Sequence, residues 1–354
     1  MRDYTNWIKK VADNYNPDDD NFIGYRMFSN LSDADRTAAK FVKLAMSAVD
    51  DSYTQRSKQA GNNARDWLKA QQNNVDYAFQ GSVMTNTHIK GYSDIDLLTI
   101  CNKFYGSEIG KVREILNNSN SYTWQENQKL QDFERSFCRY EGSCIQDLRD
   151  LRKENEEILS KHYVICDTNK AKAIRIKNQN LNIDVDVVTA SKHKSIQYIL
   201  HDCDEEYLGI RIYDKDKDCQ LDVDYPFHRI KLINNRGIET GDRFKKMIRF
   251  LKNLRSQSSM NIDLTSFEIN SLCYDIPTWK YDSVHYLQLV NIVYDKMCHV
   301  CNNPSEADSL RSVDGTEYVF KDKPNKVNQL KLLTKEVKNV LDDLLSTNSK
   351  TIKY

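Results

Sequence analysis

Asp94-Ile95-Asp96-Leu97 and Ile183-Asp184-Val185-Asp186-Val187 alternate acidic with branched apolar residues. A period of two is the mark of a β-strand, because successive side chains point to opposite faces. Each stretch therefore predicts a strand with one face turned to a core and the other carrying two carboxylates. A carboxylate aimed at a buried face is costly unless something binds it. The alternative is a solvated sheet edge, where acids only add solubility.

The residues before the first stretch favour a bound ligand. Val75-Asp76-Tyr77-Ala78-Phe79 reads as a strand and ends at Gly81-Ser82. Glycine lets the backbone approach a phosphate closely, and serine offers a hydroxyl and an N–H to it. Asp94 and Asp96 converge on one side of the next strand, and like charges so close favour a divalent cation. Hard oxygen donors suit Mg²⁺ or Mn²⁺. A two-ion centre, with ions about 4 Å apart, clamps the attacking and leaving oxygens of an in-line phosphoryl displacement. The second acidic strand supplies a third carboxylate, Asp184 or Asp186.

The rest of the chain reads as further strands and then helices. Ser32 to Gln72 is helical, either one long helix or two with a bend near Gly61, and Ser32 with Asp35 resembles a capping box. A helical region from Trp124 to Lys161 is broken at Gly142. Strands are predicted at Tyr163–Cys166, Ala173–Ile176, Ile183–Val188 and Leu208–Tyr213. After Pro226 the strand signals fade. Arg243 to Arg255 places Phe244, Met247, Ile248, Leu251 and Leu254 on one face, with Lys245, Arg249 and Lys252 opposite. Such a basic stripe is either a solvated face or a phosphate-binding one. Tyr286–Val300 and Val327–Leu345 are further helices. The expected division is a mixed-sheet domain over 1–228, including a long N-terminal helix, and a helical domain over 229–354.

Composition narrows the class. The 354 residues carry 51 Lys plus Arg against 51 Asp plus Glu, so the formal net charge is zero, unlike that of a dedicated nucleic-acid binder. No apolar run approaches the roughly 20 residues that cross a bilayer. Met1-Arg2-Asp3-Tyr4 starts no apolar signal core, so a cytoplasmic protein is expected. Nine scattered cysteines fit free thiols in a reducing compartment. Cys298 and Cys301 have metal-like spacing, yet no second pair completes a set of four ligands. Tyr163, Tyr274, Trp279 and Tyr281 are candidates for stacking on a base, or core residues.

Gly81-Ser82, Ser93-Asp94-Ile95-Asp96-Leu97 and Asp186-Val187-Val188-Thr189-Ala190 together resemble the DNA polymerase β-like nucleotidyltransferases. Tyr225-Pro226, the run Phe244 to Leu254 and Ser266-Phe267-Glu268-Ile269 narrow the resemblance to the cGAS/DncV-like nucleotidyltransferases of bacterial anti-phage signalling. The resemblance spans roughly Val75 to Trp279. It implies an α+β fold: a polymerase β-like core of mixed sheet and flanking helices, then a C-terminal helical domain, bilobal with a central cleft. It implies that Asp94, Asp96 and Asp186 hold two Mg²⁺ or Mn²⁺ ions, with Asp186 chosen because it begins the Asp-Val-Val-x-Ala pattern. Asp186 would also help deprotonate the attacking ribose hydroxyl. Gly81, Ser82, Lys252, Ser266 and Arg249 would contact the donor NTP, mainly its triphosphate. The family usually has proline where this chain has Thr189.

The implied activity is joining NTPs into a cyclic di- or trinucleotide that reaches a separate effector, with an activating RNA as a further partner and no membrane. Two alternatives stay open at this point: a transferase acting on RNA ends or on a protein hydroxyl, and an inactive nucleotide-binding module.

Overall fold

A computed structural model describes residues 2, 4–12, 37–89, 95–118 and 122–351. The chain forms two compact units that do not follow sequence order. A sheet unit comprises the described residues of Thr54–Met84 and Asp94–Lys231. A helical unit comprises those of Met1–Tyr53, Thr85–Ser93 and Leu232–Tyr354. The expected division at 228/229 thus compares with a boundary at 231/232, and the N-terminal residues group with the C-terminal helices. The physical reason is apolar burial: Phe41, Val42, Ala45 and Met46 share one core with Phe244, Ile248, Phe250 and Leu333.

The sheet unit carries seven strands: β1 Val75–Gln80, β2 Ile95–Ser107, β3 Cys166–Asp167, β4 Ile174–Asn178, β5 Ile183–Lys194, β6 Gly209–Asp214 and β7 Cys219–Asp224. Their order is β1-β2-β5-β4-β3, with β6 on β5 and β7 on β6. β2 and β5 run parallel, and the other named pairs are antiparallel. A parallel pair needs a long crossover. Here the crossover holds the helices Ile109–Asn117, Trp124–Ser136 and Cys144–His162 together with β3 and β4. The break expected at Gly142 falls between the last two helices. β7 is not among the expected strands, although Leu221-Asp222-Val223-Asp224 carries the same acidic and apolar alternation as β2 and β5.

The helical stretch expected over Ser32–Gln72 is, in its described part, two helices, Thr37–Met46 and Asp51–Lys69, and a separate short helix, Thr5–Ala12, lies before it. The break comes at Ser47–Asp50 rather than at Gly61, and the Asp50 carboxylate accepts from the Ser52 N–H at 2.6 Å. Gly61 lies inside a helix because nothing larger fits: a Cβ there would meet the Phe79 ring at 2.7 Å and Ile95 at 3.1 Å. The Ser32/Asp35 capping box lies outside the described residues.

One face of the sheet is closed by the Cys144–His162 helix. Its buried Asn155 amide donates to Thr99 Oγ1 at 2.8 Å and to Thr189 Oγ1 at 3.0 Å, and its own oxygen accepts from Gln72 at 3.0 Å. Thr189, the departure from the family's proline, is thereby a working member of a satisfied polar network. The opposite face packs Leu98, Ile100, Val188 and Ala190 against Ile210.

In the helical unit, the Arg243–Gln257 helix is buried nearly all round from Met247 to Leu254. The predicted apolar face is there, but Arg249 and Lys252 on the other side are enclosed as well. Among the described residues no helix is long and apolar enough to cross a membrane.

Candidate active site

The parallel register of β2 and β5 sets Asp96 directly beside Asp186. Both belong to the face that continues into Leu98, Ile100, Val188 and Ala190, so their carboxylates emerge side by side at the rim of an apolar layer. The antiparallel β1–β2 register pairs Gln80 with Asp96, which brings the next residue, Gly81, against the same carboxylate. Gly81 has φ of 89°, and a Cβ there would collide with Asp96 Oδ2. The glycine is therefore required twice, by its backbone angle and by the closeness of the acid. Ser82 follows in the turn and is half-buried. Asp94 lies outside the described residues, as do Lys90 to Ser93.

Two adjacent carboxylates with hard oxygen donors fit a divalent cation. Among the described residues no group of three His, Cys, Asp or Glu side chains forms a metal cluster. All nine cysteines are free. Cys301 Sγ lies 3.5 Å from Thr334 Oγ1.

Asp186 has partners that sequence reading missed. Arg175, its cross-strand neighbour on β4, donates from Nε to Oδ1 and from Nη2 to Oδ2, both at 2.9 Å. Lys170 Nζ stands 3.6 Å from Oδ1. A local signal for this pairing exists: the turn Gln179-Asn180-Leu181-Asn182 between two short strands sets the register that puts residue 175 opposite 186.

The predicted cations of the helical unit are placed differently from expectation. Lys252 is 2 % exposed, not solvated, and its ammonium donates to the Thr87 carbonyl at 2.9 Å. Burial, then the charges of Arg255 and Arg249, push its pKa down to about 7. The fully buried Arg249 guanidinium donates to the carbonyls of Asn86 and Met46, each at 2.8 Å, and to Asp242 at 2.5 Å. Both side chains thus pin the 85–89 loop, which follows the Gly81-Ser82 turn in sequence. Ser266 is half-buried in the first turn of the Ser266–Tyr274 helix, behind a capping box of Thr265 and Glu268. Helix N-termini favour anions. Of the aromatic candidates, Tyr281 is core, its hydroxyl donating to the Cys273 carbonyl at 2.8 Å, and Tyr274 is covered by the Arg236 guanidinium. Trp279 is 66 % exposed.

Comparison with known proteins bears on the family and the fold. The cGAS/DncV-like nucleotidyltransferase C-terminal helical domain matches residues 231–342. A c-di-GMP synthase of a Lachnospiraceae bacterium is 44 % identical over 342 residues, covering 97 % of this chain and 99 % of that one. The structure of a STING-associated CdnE c-di-GMP synthase from Flavobacteriaceae sp. superposes with a TM-score of 0.85 at 35 % identity, over 97 % of this chain and 99 % of the other. That of the STING-associated CdnE c-di-GMP synthase from Capnocytophaga granulosa gives 0.75 at 36 %, over 98 % and 99 %. This chain is an enzyme, a nucleotidyltransferase that makes a cyclic dinucleotide. With a polymerase β-like sheet unit, a matching helical domain and relatives aligned along almost its whole length, the chain belongs to the cGAS/DncV-like nucleotidyltransferases.

Proposed function

We propose that this enzyme joins two GTP molecules into c-di-GMP for a separate effector in anti-phage defence, with Asp94, Asp96 and Asp186 as its metal ligands. The observation that carries the site reading is the β2–β5 register, which aligns Asp96 with Asp186 beside Gly81. The choice of guanine is supported by the c-di-GMP synthases that this chain resembles at 44 % and 40 % identity. Metal dependence is general in the family. Two Mg²⁺ or Mn²⁺ ions held by these carboxylates would supply charge neutralisation and alignment for in-line displacement.

The chain's own groups do the rest. In each of two successive displacements Asp186 accepts the proton of the attacking ribose hydroxyl, a new oxygen–phosphorus bond forms at an α-phosphorus and one pyrophosphate leaves, the second displacement closing the ring. The Gly81-Ser82 backbone and hydroxyl hold the donor phosphates. Lys252 would reach the triphosphate only by exchanging its bond to the Thr87 carbonyl for one to a phosphate oxygen, and Ser266 would hydrogen-bond to it. Arg249 supports that contact by fixing the Asn86 carbonyl.

Incubation with each labelled NTP and Mg²⁺ or Mn²⁺, followed by phosphatase, tests the reading. A resistant product from GTP alone, with the mass of c-di-GMP and lost in Asp96→Ala, is expected. A resistant product containing another base overturns the choice of guanine. Labelled RNA or labelled protein in place of a small product overturns the synthase reading.

A further inference from the structure

Asp186 is already held by a cation of the chain itself. Arg175 grips both carboxylate oxygens at 2.9 Å in the planar fork that matches guanidinium to carboxylate. This is a built contact, not a passing surface pair. The Asp186 side chain is 17 % exposed, and Lys170 adds a second positive charge from the same segment. That segment is nailed down from below. Arg152, 2 % exposed, donates from Nη2 to the carbonyls of Thr168, Lys170 and Ala173 at 3.2, 3.0 and 3.0 Å. Lys215 donates to the Thr168 carbonyl at 2.6 Å. Glu156 completes the anchor by accepting from Arg152 Nε at 2.8 Å.

The fork occupies one acceptor direction on each oxygen and leaves the carboxylate about two more. A divalent ion on Asp186 would therefore meet a guanidinium of like sign within a few ångströms. It must either displace part of the fork or bind against that repulsion. Without an ion, the same guanidinium offsets the repulsion between Asp186 and Asp96.

We propose that Arg175 is a positioning residue that sets the divalent-metal affinity of the site, holding Asp186 in place before metal arrives and yielding oxygen to it afterwards. This rests on the reading of Asp186 as a metal ligand. Removing the charge should tighten metal binding while lowering turnover, because the freed carboxylate is no longer aimed. A purely structural role would weaken both.

The test is Mn²⁺ titration of the full chain without nucleotide, with free ion followed by electron paramagnetic resonance. Arg175→Gln is expected to bind Mn²⁺ on the order of tenfold more tightly. Arg175→Lys keeps the charge and loses the fork, so it should stay near wild type in affinity. Turnover with GTP should fall in Arg175→Gln even at saturating metal. Asp186→Asn separates the two levels of the argument. If it weakens Mn²⁺ binding while Arg175→Gln leaves it unchanged or weaker, the role of Arg175 is overturned and the metal site stands. If Asp186→Asn leaves Mn²⁺ binding unchanged, the metal-site reading falls and the inference with it.

Discussion

The sheet unit and the helical unit handle charge in opposite ways. On the sheet, Asp96 and Asp186 are half-buried at a rim, placed by strand register above an apolar layer. In the helical unit, Arg249 and Lys252 are enclosed and bonded to main-chain carbonyls of Met46, Asn86 and Thr87. A strand can present a carboxylate to an external ligand while its neighbours i±1 are in the core. A helix packed on all sides has no such free face, so its cations take backbone carbonyls as partners and are desolvated. The acids are thus left at a rim, and the lysine is enclosed with its pKa pushed down to about 7.

The largest expected effect that sharpens this contrast is Asp96→Asn. It should lower turnover by at least about 10³-fold. The melting temperature should hold or rise slightly, since one of two neighbouring like charges is gone. Retained cyclic dinucleotide synthesis in a phosphatase-protection assay would remove Asp96 from the metal set.

Next is Lys252→Met, where function and stability should part. Nucleotide affinity should fall by about 10²-fold, the worth of a charge-assisted contact. Stability should rise, because the desolvation that depresses this lysine opposes folding, and the lost bond to Thr87 returns only about 1 kcal/mol. A thermal melt and a GTP titration on the same sample check both, and a lower melting temperature breaks the contrast. Lys252→Glu is expected to unfold the helical unit instead, since it buries a carboxylate against the Thr87 carbonyl.

Asn155→Ala probes the sheet's closed face. It strips Thr99 and Thr189 of a donor and should cost about 3 kcal/mol in denaturant unfolding. The midpoint should move with little change in slope.

The smallest effect is pH dependence. Burial pushes the pKa of Lys252 down to about 7. A bound triphosphate favours its charged form, so GTP affinity should be highest below pH 7. It should then fall by up to about tenfold per unit as pH rises toward the pKa of the bound state. Stability runs the other way. The folded pKa lies below the ordinary lysine value of 10.5, so the unfolded chain binds the extra proton between the two. Stability should therefore rise with pH across that window. In Lys252→Met both slopes should flatten.

Much of this was legible from sequence. The strands around Val75, Ile95 and Ile183 and the Gly81-Ser82 turn follow from local periodicity and turn chemistry, which need no distant contact. Burial of the Arg243–Gln257 helix was half legible: its apolar stripe was read, but Arg249 and Lys252 looked like a solvated or ligand-facing stripe. A stripe in sequence shows which residues share a side, not whether another segment covers that side, and here the 85–89 loop supplies carbonyls to it. The split at Ser47–Asp50 was missed because both flanking segments are good helix formers without a proline between them.

By itself, then, the sequence determined the two acidic strands, the glycine turn and the helical second half, since each is written in spacings of two to four residues. Only the tertiary structure decided that Asp96 and Asp186 are direct neighbours, that Arg175 grips Asp186, and that Lys252 is buried. Those are matters of register and enclosure between segments far apart in the chain. A one-residue slip in β5 would turn Asp186 to the other face with no change in the sequence pattern.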